Sequence, residues 1–370
     1  MPDSLTTTSQ HISQPSTMAS TKEPEPSVTG PVPLPFKDAD VDDDAVQDPQ
    51  LKEYKRRASE LPSNPTRLRT RLRCYQGTWV LEQWVPGIMA IQRGFAPRQG
   101  DVIVASPPKC GTTWLKALTF ATMARGVYPP THAAHPLLRL NPHDCVPFME
   151  NLFAAGLGSK MDALPSPRVM ATHMHHSVLP ASIRANPECK IVYICRDPKD
   201  MLVSMWHFAR RLRPDVRLLD DMFEPACDGS GLSGPIWNHV LGYWNASKAS
   251  PETVLFLRYE EMLRDPVGNV KKLAHFVRQP FSPAEEEAGV VTDIVGLCSF
   301  EKLKNLEVNM PSSDVREGNF PKDSYFRRGV TRDWANHMTP EMAARLDAVM
   351  EEKLRGSGLS FSSLLRDRRP

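Results

Sequence analysis

Apolar residues in this chain gather into short, nearly unbroken runs bounded by turn formers. Val-Ile-Val in DVIVAS, Ile191 to Cys195 in KIVYIC and Val254 to Leu257 in TVLFL are of this kind, and RVMATH, preceded by Pro165 and Pro167, reads as a further strand. Runs this short and this apolar predict strands covered on both faces. Helical patterns follow them. WLKALTFATMARG ends at Gly126, DMLVSMWHFARRL is amphipathic, and PEMAARLDAVMEEKL has Pro340 in its first turn with Thr339 as its cap. Strands alternating with helices predict an α/β protein: a single domain with a central, mostly parallel sheet flanked by helices. In such sheets ligands sit beyond the carboxyl ends of the strands.

The N-terminal part has no such pattern. It is Ser/Thr-rich, then Pro-rich and acidic (KEPEPSVTGPVPLPFKDADVDDDAVQDPQ), with few apolar residues to offset the entropy of ordering. Residues 1–66 are therefore expected to be a disordered extension and lead-in, and residues 67–370 the folded domain. From Arg67 the texture changes, and CYQGTWVLEQWVPGIMAIQRGF has the apolar density of a core.

Composition narrows the function classes. The 370 residues are 41% hydrophobic and 24% charged, and 45 basic against 43 acidic residues leave a net charge of +2. That balance gives no case for nucleic acid or an anionic membrane as partner, so any anion binding has to be local. Seven cysteines form an odd set without a Cys-x-x-Cys pair, which points to neither a disulfide framework nor a zinc ribbon but to a reducing compartment. No run of about 18 apolar residues suggests a membrane span. The N-terminus lacks the apolar stretch of a secretory signal and has no arginine before Arg56, so the cytosol is the expected location.

The candidate chemistry lies just past the predicted strand ends. Lys109-Cys110-Gly111-Thr112-Thr113-Trp114 opens a helix directly after the first strand. A glycine admits close approach of an anion, the hydroxyls and helix N–H groups donate, and the lysine adds a mobile positive charge. The segment is not a Walker loop, because no upstream glycine is present and the lysine precedes the glycine. A plain helix start with a buried tryptophan accounts for it as well. RDPKDMLVS puts Arg196 at a second strand end and Ser204 about two helical turns on, although a surface helix with exposed Asp197, Lys199 and Asp200 ion pairs fits the same letters. Arg327 and Arg328 precede Gly329 in YFRRGVTRDW, suited to a doubly charged phosphate or to a solvated basic loop. THMHHS holds His173, His175 and His176 without metal-ligand spacing nearby. In an extended segment His173 and His175 share a side, and one of these histidines is a candidate general base.

In order and content these clusters together resemble the cytosolic sulfotransferase family, and more closely its plant branch. KCGTTWLK resembles the family's 5′-phosphosulfate loop, RDPKDMLVSMWHF its 3′-phosphate segment and FRRGVTRDW its C-terminal Arg-Lys-Gly element. NPHDCVPFMEN, GPIWNHVLGYWNAS and FLRYEEMLRDP are similar to stretches of plant members. The resemblance runs from Tyr75 to Phe361. It implies a P-loop-like phosphosulfate-binding loop and 3′-phosphoadenosine 5′-phosphosulfate (PAPS) as sulfuryl donor. Lys109, Cys110, Gly111, Thr112 and Thr113 would surround the phosphosulfate, and Trp114 would stack on adenine. Arg196, Ser204, Arg327, Arg328 and Gly329 would hold the 3′-phosphate. Tyr259 and Phe300 would flank the adenine, and His173 falls where the family keeps its catalytic histidine. The implied reaction is sulfuryl transfer to a hydroxyl of a small organic acceptor (a flavonoid, steroid, hormone or similar plant metabolite), with His173 as base, Lys109 stabilising the leaving oxygen, and no metal.

Several positions depart from the family pattern. Arg332 stands for a second glycine, Arg328 for the usual lysine, and Pro107 where an aromatic is common. Ala171 lacks the lysine of animal members. His175 and His176 replace Pro and an apolar residue, which predicts a more polar acceptor side. Tyr75, Trp79, Phe148, Phe153, Trp206 and Phe208 are the expected aromatic walls. The alternatives are a nucleotide-binding protein without catalysis and a nucleotide-dependent kinase, which the missing Walker glycine disfavours.

Overall fold

The structure, a computed structural model, describes residues 31–39, 49–65, 71–212, 219–311 and 320–361. Two sheets organise it. Strands β1 (Ser63–Pro65), β2 (Arg71–Tyr75) and β3 (Thr78–Leu81) form an antiparallel meander. Strands β4 (Val102–Ala105), β5 (Val169–Thr172), β6 (Lys190–Cys195) and β7 (Val254–Arg258) form a parallel sheet in the order β5-β4-β6-β7. The four apolar runs are thus the four parallel strands. Period-2 geometry splits their side chains between two cores. Ile103, Met170, Ile191 and Tyr193 face one layer, while Val104, Ala171, Val192 and Ile194 face the other. Helices cover both faces, as a parallel sheet requires.

The helices used below are α1 (Leu51–Glu60), α2 (Val85–Gly94), α3 (Thr112–Ala124), α4 (Met149–Ala154), α5 (Pro198–Leu212), α6 (Ile236–Ala249) and α7 (Pro340–Leu354). Helix α3 starts from Gly111 in the left-handed region at φ +99°, and α7 is capped by Thr339, whose side chain accepts from Met342 N–H.

The boundary expected at residue 66 falls inside this packed unit. Helix α1 lays Leu51, Tyr54 and Ala58 against the core beside α2, and β1 pairs with β2 across the boundary. Upstream, Pro33 and Pro35 are buried, Phe36 packs on the same core, and Arg139 donates to Asp38 Oδ1 at 2.8 Å. The segments 31–39 and 49–65 are therefore part of the fold and not a disordered lead-in. Residues 1–30 and 40–48 lie outside the described residues. The β2–β3 hairpin turns at Gln76-Gly77, both with positive φ (50° and 78°), which matches the twist of the flanking strands.

Candidate active site

The order β5-β4-β6-β7 brings the loops after β4, β5, β6 and β7 to one edge of the sheet. A cavity of about 500 Å³ opens there. Lys109, Gly111, Thr112, Thr113, Trp114, His173, Arg196, Ser204, Tyr259, Phe300, Arg327, Arg328 and Gly329 all line it. Cys110 alone among the predicted site residues does not. Its thiol is buried in the core, and that burial pushes its pKa well up, so it contributes backbone to the loop and no reactive thiolate.

The loop after β4 is shaped by two left-handed residues, Lys109 at φ +67° and Gly111 at φ +99°. A Cβ at Gly111 would come within 2.7 Å of the Tyr259 ring, so only glycine fits this close approach. Ser106 and Thr112 hydroxyls meet at 2.6 Å across the loop. Lys109 Nζ lies 4.1 Å from the Phe208 ring centroid. Burial, and then the charges of Arg196 and Arg327, lower the Lys109 pKa to about 7.

Arg196, at the end of β6, ties this loop to the C-terminal one. It donates to Val330 O at 2.7 Å, sits 3.7 Å from Asp200 and lies over Tyr259, its guanidinium 4.7 Å from the ring centroid. Asp197, Lys199 and Asp200 are buried, not exposed ion pairs on a surface helix. Asp200 accepts from the backbone N–H of Arg332 at 2.6 Å and of Trp334 at 3.0 Å. Arg332 takes the left-handed conformation at φ +63° that the family's second glycine would favour, and the Asp200 bond holds its backbone there. Arg327 and Arg328 both pair with Asp333, at 2.6 and 2.8 Å. Burial works against charge on Asp333, but bonds from Arg327 and Asn336 and the two arginine charges outweigh it and lower its pKa to about 2. His337 and His207 adjoin the same carboxylate, their Nε2 atoms 3.3 Å apart. These three residues bring metal-ligating atoms within 4.8 Å of one another, yet Arg327 and Arg328 already span the carboxylate.

His173 follows β5, sandwiched by Trp84 and Phe148 at ring-centroid distances of 5.5 and 4.5 Å. Its Nδ1 is 2.8 Å from Ser106 O. A carbonyl only accepts, so Nδ1 carries the proton and Nε2 keeps its lone pair. Burial lowers the His173 pKa to about 3 against the opposing pull of the Ser106 bond, so the ring is neutral at physiological pH. Glu150 on α4 accepts from the His173 backbone N–H and from the Thr172 hydroxyl, and burial raises its pKa to about 7.

Other expectations need correction. The backbone turns after Thr172, so His175 does not share the His173 side: its Nε2 bonds Ser233 O at 2.9 Å inside the core. Neither His175 nor His176 lines the cavities at the sheet edge, so they do not make the acceptor side more polar. Of the expected aromatic walls only Phe148 and Phe208 line the cleft; Tyr75, Trp79, Phe153 and Trp206 lie elsewhere. Trp84, Phe320, Tyr325 and Phe326 take their place. Sequence reasoning also passed over Asp200, Asp333, Glu150 and His143. For the first two, acidic residues beside arginines in a candidate phosphate-binding segment were the available signal.

A family model for the sulfotransferase domain matches residues 99–358. The chain is 44% identical to Arabidopsis thaliana cytosolic sulfotransferase 8 over 314 residues, covering 84% of this chain and 93% of that protein. It is 40% identical to cytosolic sulfotransferase 12 of the same plant, covering 82% and 93%. Among solved structures, an Arabidopsis thaliana putative steroid sulphotransferase superposes with a TM-score of 0.68 at 35% identity, covering 87% of this chain and 98% of that one. A mouse sulfotransferase complexed with PAP superposes with a TM-score of 0.60 at 26% identity, covering 77% and 95%. Fold, site and relatives together define a sulfuryl-transferring enzyme of the α/β class. The chain belongs to the sulfotransferase family, in its plant cytosolic group. Among the described residues no helix is long and apolar enough to cross a membrane.

Proposed function

We propose that this enzyme transfers the sulfuryl group of PAPS to a hydroxyl of a small, largely apolar organic acceptor, with His173 as general base. The observation that carries the reading is His173 itself: neutral, its tautomer set by Ser106, and facing the cavity where the loop after β4 meets the two arginine segments. PAPS when bound supplies an activated sulfuryl group on a phosphate leaving group. The residues present fit such a molecule. The buried Nε atoms of Arg196 and Arg327 have no hydrogen-bond partner, as expected of donors aimed at an absent anion. A Cβ at Gly329 would come within 2.6 Å of Phe300, so only glycine lets the C-terminal loop pack directly against that ring at the cavity wall.

In this reading Lys109 and the N–H groups at the start of α3 hold the 5′ end and stabilise charge growing on the leaving oxygen. Arg196, Ser204, Arg327 and Arg328 hold the 3′-phosphate, and Trp114, Tyr259 and Phe300 flank the base. Arg196 is held beside Asp200, and Arg327 and Arg328 are paired with Asp333, so these three guanidiniums are positioned before binding and reorganise little. His173 Nε2 takes the acceptor's proton as its oxygen attacks.

The acceptor reading rests on a second cavity of about 1150 Å³ that shares Leu81, Pro108, Asn151, Met205, Phe208, Leu232 and Phe320 with the first. Part of its lining is aliphatic and methionine-rich, with Met201, Leu202 and Met222, beside the charged Lys55, Arg71, Glu82 and Asp221; the apolar part suits the body of a steroid or flavonoid and the charged part its polar substituents. The test is a panel of hydroxylated metabolites incubated with PAPS and analysed by mass for sulfated products. Sulfation of apolar alcohols or phenols supports the proposal, and absence of turnover on every member contradicts it.

A further inference from the structure

Lys116 and His143 take no part in the roles assigned above, yet both are placed against the phosphosulfate loop. Lys116 is one turn into α3 and wholly buried. Its Nζ donates to Val146 O at 2.8 Å, lies 3.4 Å from the Phe148 ring centroid and is 2.9 Å from His143 Nδ1. His143 stands in the helical turn Pro142–Cys145, held by its backbone bond to the Asn141 side chain and packed between Phe148 and Tyr325. Its other ring nitrogen, Nε2, is 3.0 Å from Thr113 Oγ1.

The donors in this chain fix its direction. Burial lowers the Lys116 pKa well below its ordinary value, yet Nζ carries at least two hydrogens in either protonation state: one goes to Val146 O, and the other is directed at Nδ1 of His143, 2.9 Å away, which then accepts. Burial above all holds the His143 pKa well below its ordinary value, so the ring carries one proton. That proton is on Nε2, which donates to Thr113 Oγ1. The threonine oxygen is then an acceptor on its inner side, and its own O–H is turned toward the cavity that Thr113 lines.

We propose that Lys116 and His143 form a hydrogen-bond relay that sets Thr113 as a donor into the phosphosulfate end of the cleft. His143 is a positioning residue, acting through Thr113. Successive bonds in one direction polarise each other, so the hydroxyl at the end is a stronger donor than an isolated threonine. The inference rests on the PAPS reading above, and its test separates the two.

The first measurement is the nitrogen-15 spectrum of the ligand-free full chain, with the His143 signal assigned by its loss in His143→Gln. Protonated Nε2 and unprotonated Nδ1 are expected, and the reverse tautomer overturns the relay. Lys116→Met should release the preference and bring in the Nδ1–H form. The second is calorimetry with 3′,5′-adenosine bisphosphate, which retains the 5′-phosphate. His143→Phe keeps the ring packing and loses the donor; it and Thr113→Val should each weaken binding roughly tenfold, and the double variant no further. His143→Gln, whose amide can donate to Thr113, should recover most of the affinity, and it stands in should the Phe variant fail to fold. Additive losses, or equal losses in Gln and Phe, overturn the relay while leaving the PAPS site intact. No binding of the bisphosphate by the unaltered protein overturns the PAPS reading itself.

Discussion

The two ends of the cleft are built by different means. At the nucleotide end the groups are tied by directional bonds, within segments (Arg196 to Asp200, Arg327 and Arg328 to Asp333) and between them (Arg196 to Val330, Asp200 to the backbone of Arg332 and Trp334). At the acceptor end Met201, Leu202, Met205, Met222 and Leu232 supply apolar wall without directional bonds, and the charged Lys55, Arg71, Glu82 and Asp221 line other parts of the same cavity. The difference teaches where specificity is held. A charged, bidentate cage rejects a ligand lacking one phosphate strongly, whereas an apolar wall discriminates weakly between shapes. Donor choice is then fixed by a few residues, and acceptor choice by the whole cavity.

Substitutions at the junction and at each end should separate these regimes. On the proposed reading His173→Ala removes the general base where the ends meet, and turnover should fall by roughly 10²- to 10⁴-fold while calorimetric affinity for 3′,5′-adenosine bisphosphate stays unchanged. A parallel loss of that affinity would mean the histidine has another task. Lys109, with its pKa lowered to about 7 in the free enzyme, is charged below that pH and neutral above it. Binding an anion favours the charged form, so bisphosphate affinity should weaken as pH rises above 7, by up to about tenfold per unit. Lys109→Arg should flatten this profile; a profile already flat in the unaltered protein contradicts the assignment. Arg327→Ala should weaken the bisphosphate roughly 10- to 100-fold, the loss of a charge-assisted bond, and leave acceptor KM alone. Met205→Ala should do the reverse, changing acceptor kcat/KM by about tenfold, and a comparable loss of nucleotide affinity would erase the distinction between the ends.

The sequence made the nucleotide end far more legible than the acceptor end, for a physical reason. Loop, arginine segment and C-terminal element each lie within a few residues of a predicted strand end or turn, so local order carries their chemistry. The parallel strands were legible because burial on both faces leaves unbroken apolar runs. Acceptor walls come from α5, the loops around α6 and the β3 region at once, and no local pattern gathers Met205 with Leu232 and Phe320. Helix α1 was hidden by its charge: LKEYKRRASE is mostly polar, although Leu51, Tyr54 and Ala58 keep the spacing of one face. The buried roles of Asp200 and Asp333 were masked because a carboxylate beside basic residues reads as a surface pair until burial is known.

The central claim is that the cage takes a 3′-phosphorylated nucleotide. Calorimetric comparison of 3′,5′-adenosine bisphosphate with 5′-AMP on the unaltered protein tests it directly, since the two ligands differ only in the group assigned to Arg196, Ser204, Arg327 and Arg328. The account predicts that the bisphosphate binds at least roughly tenfold tighter. Equal affinities would contradict it.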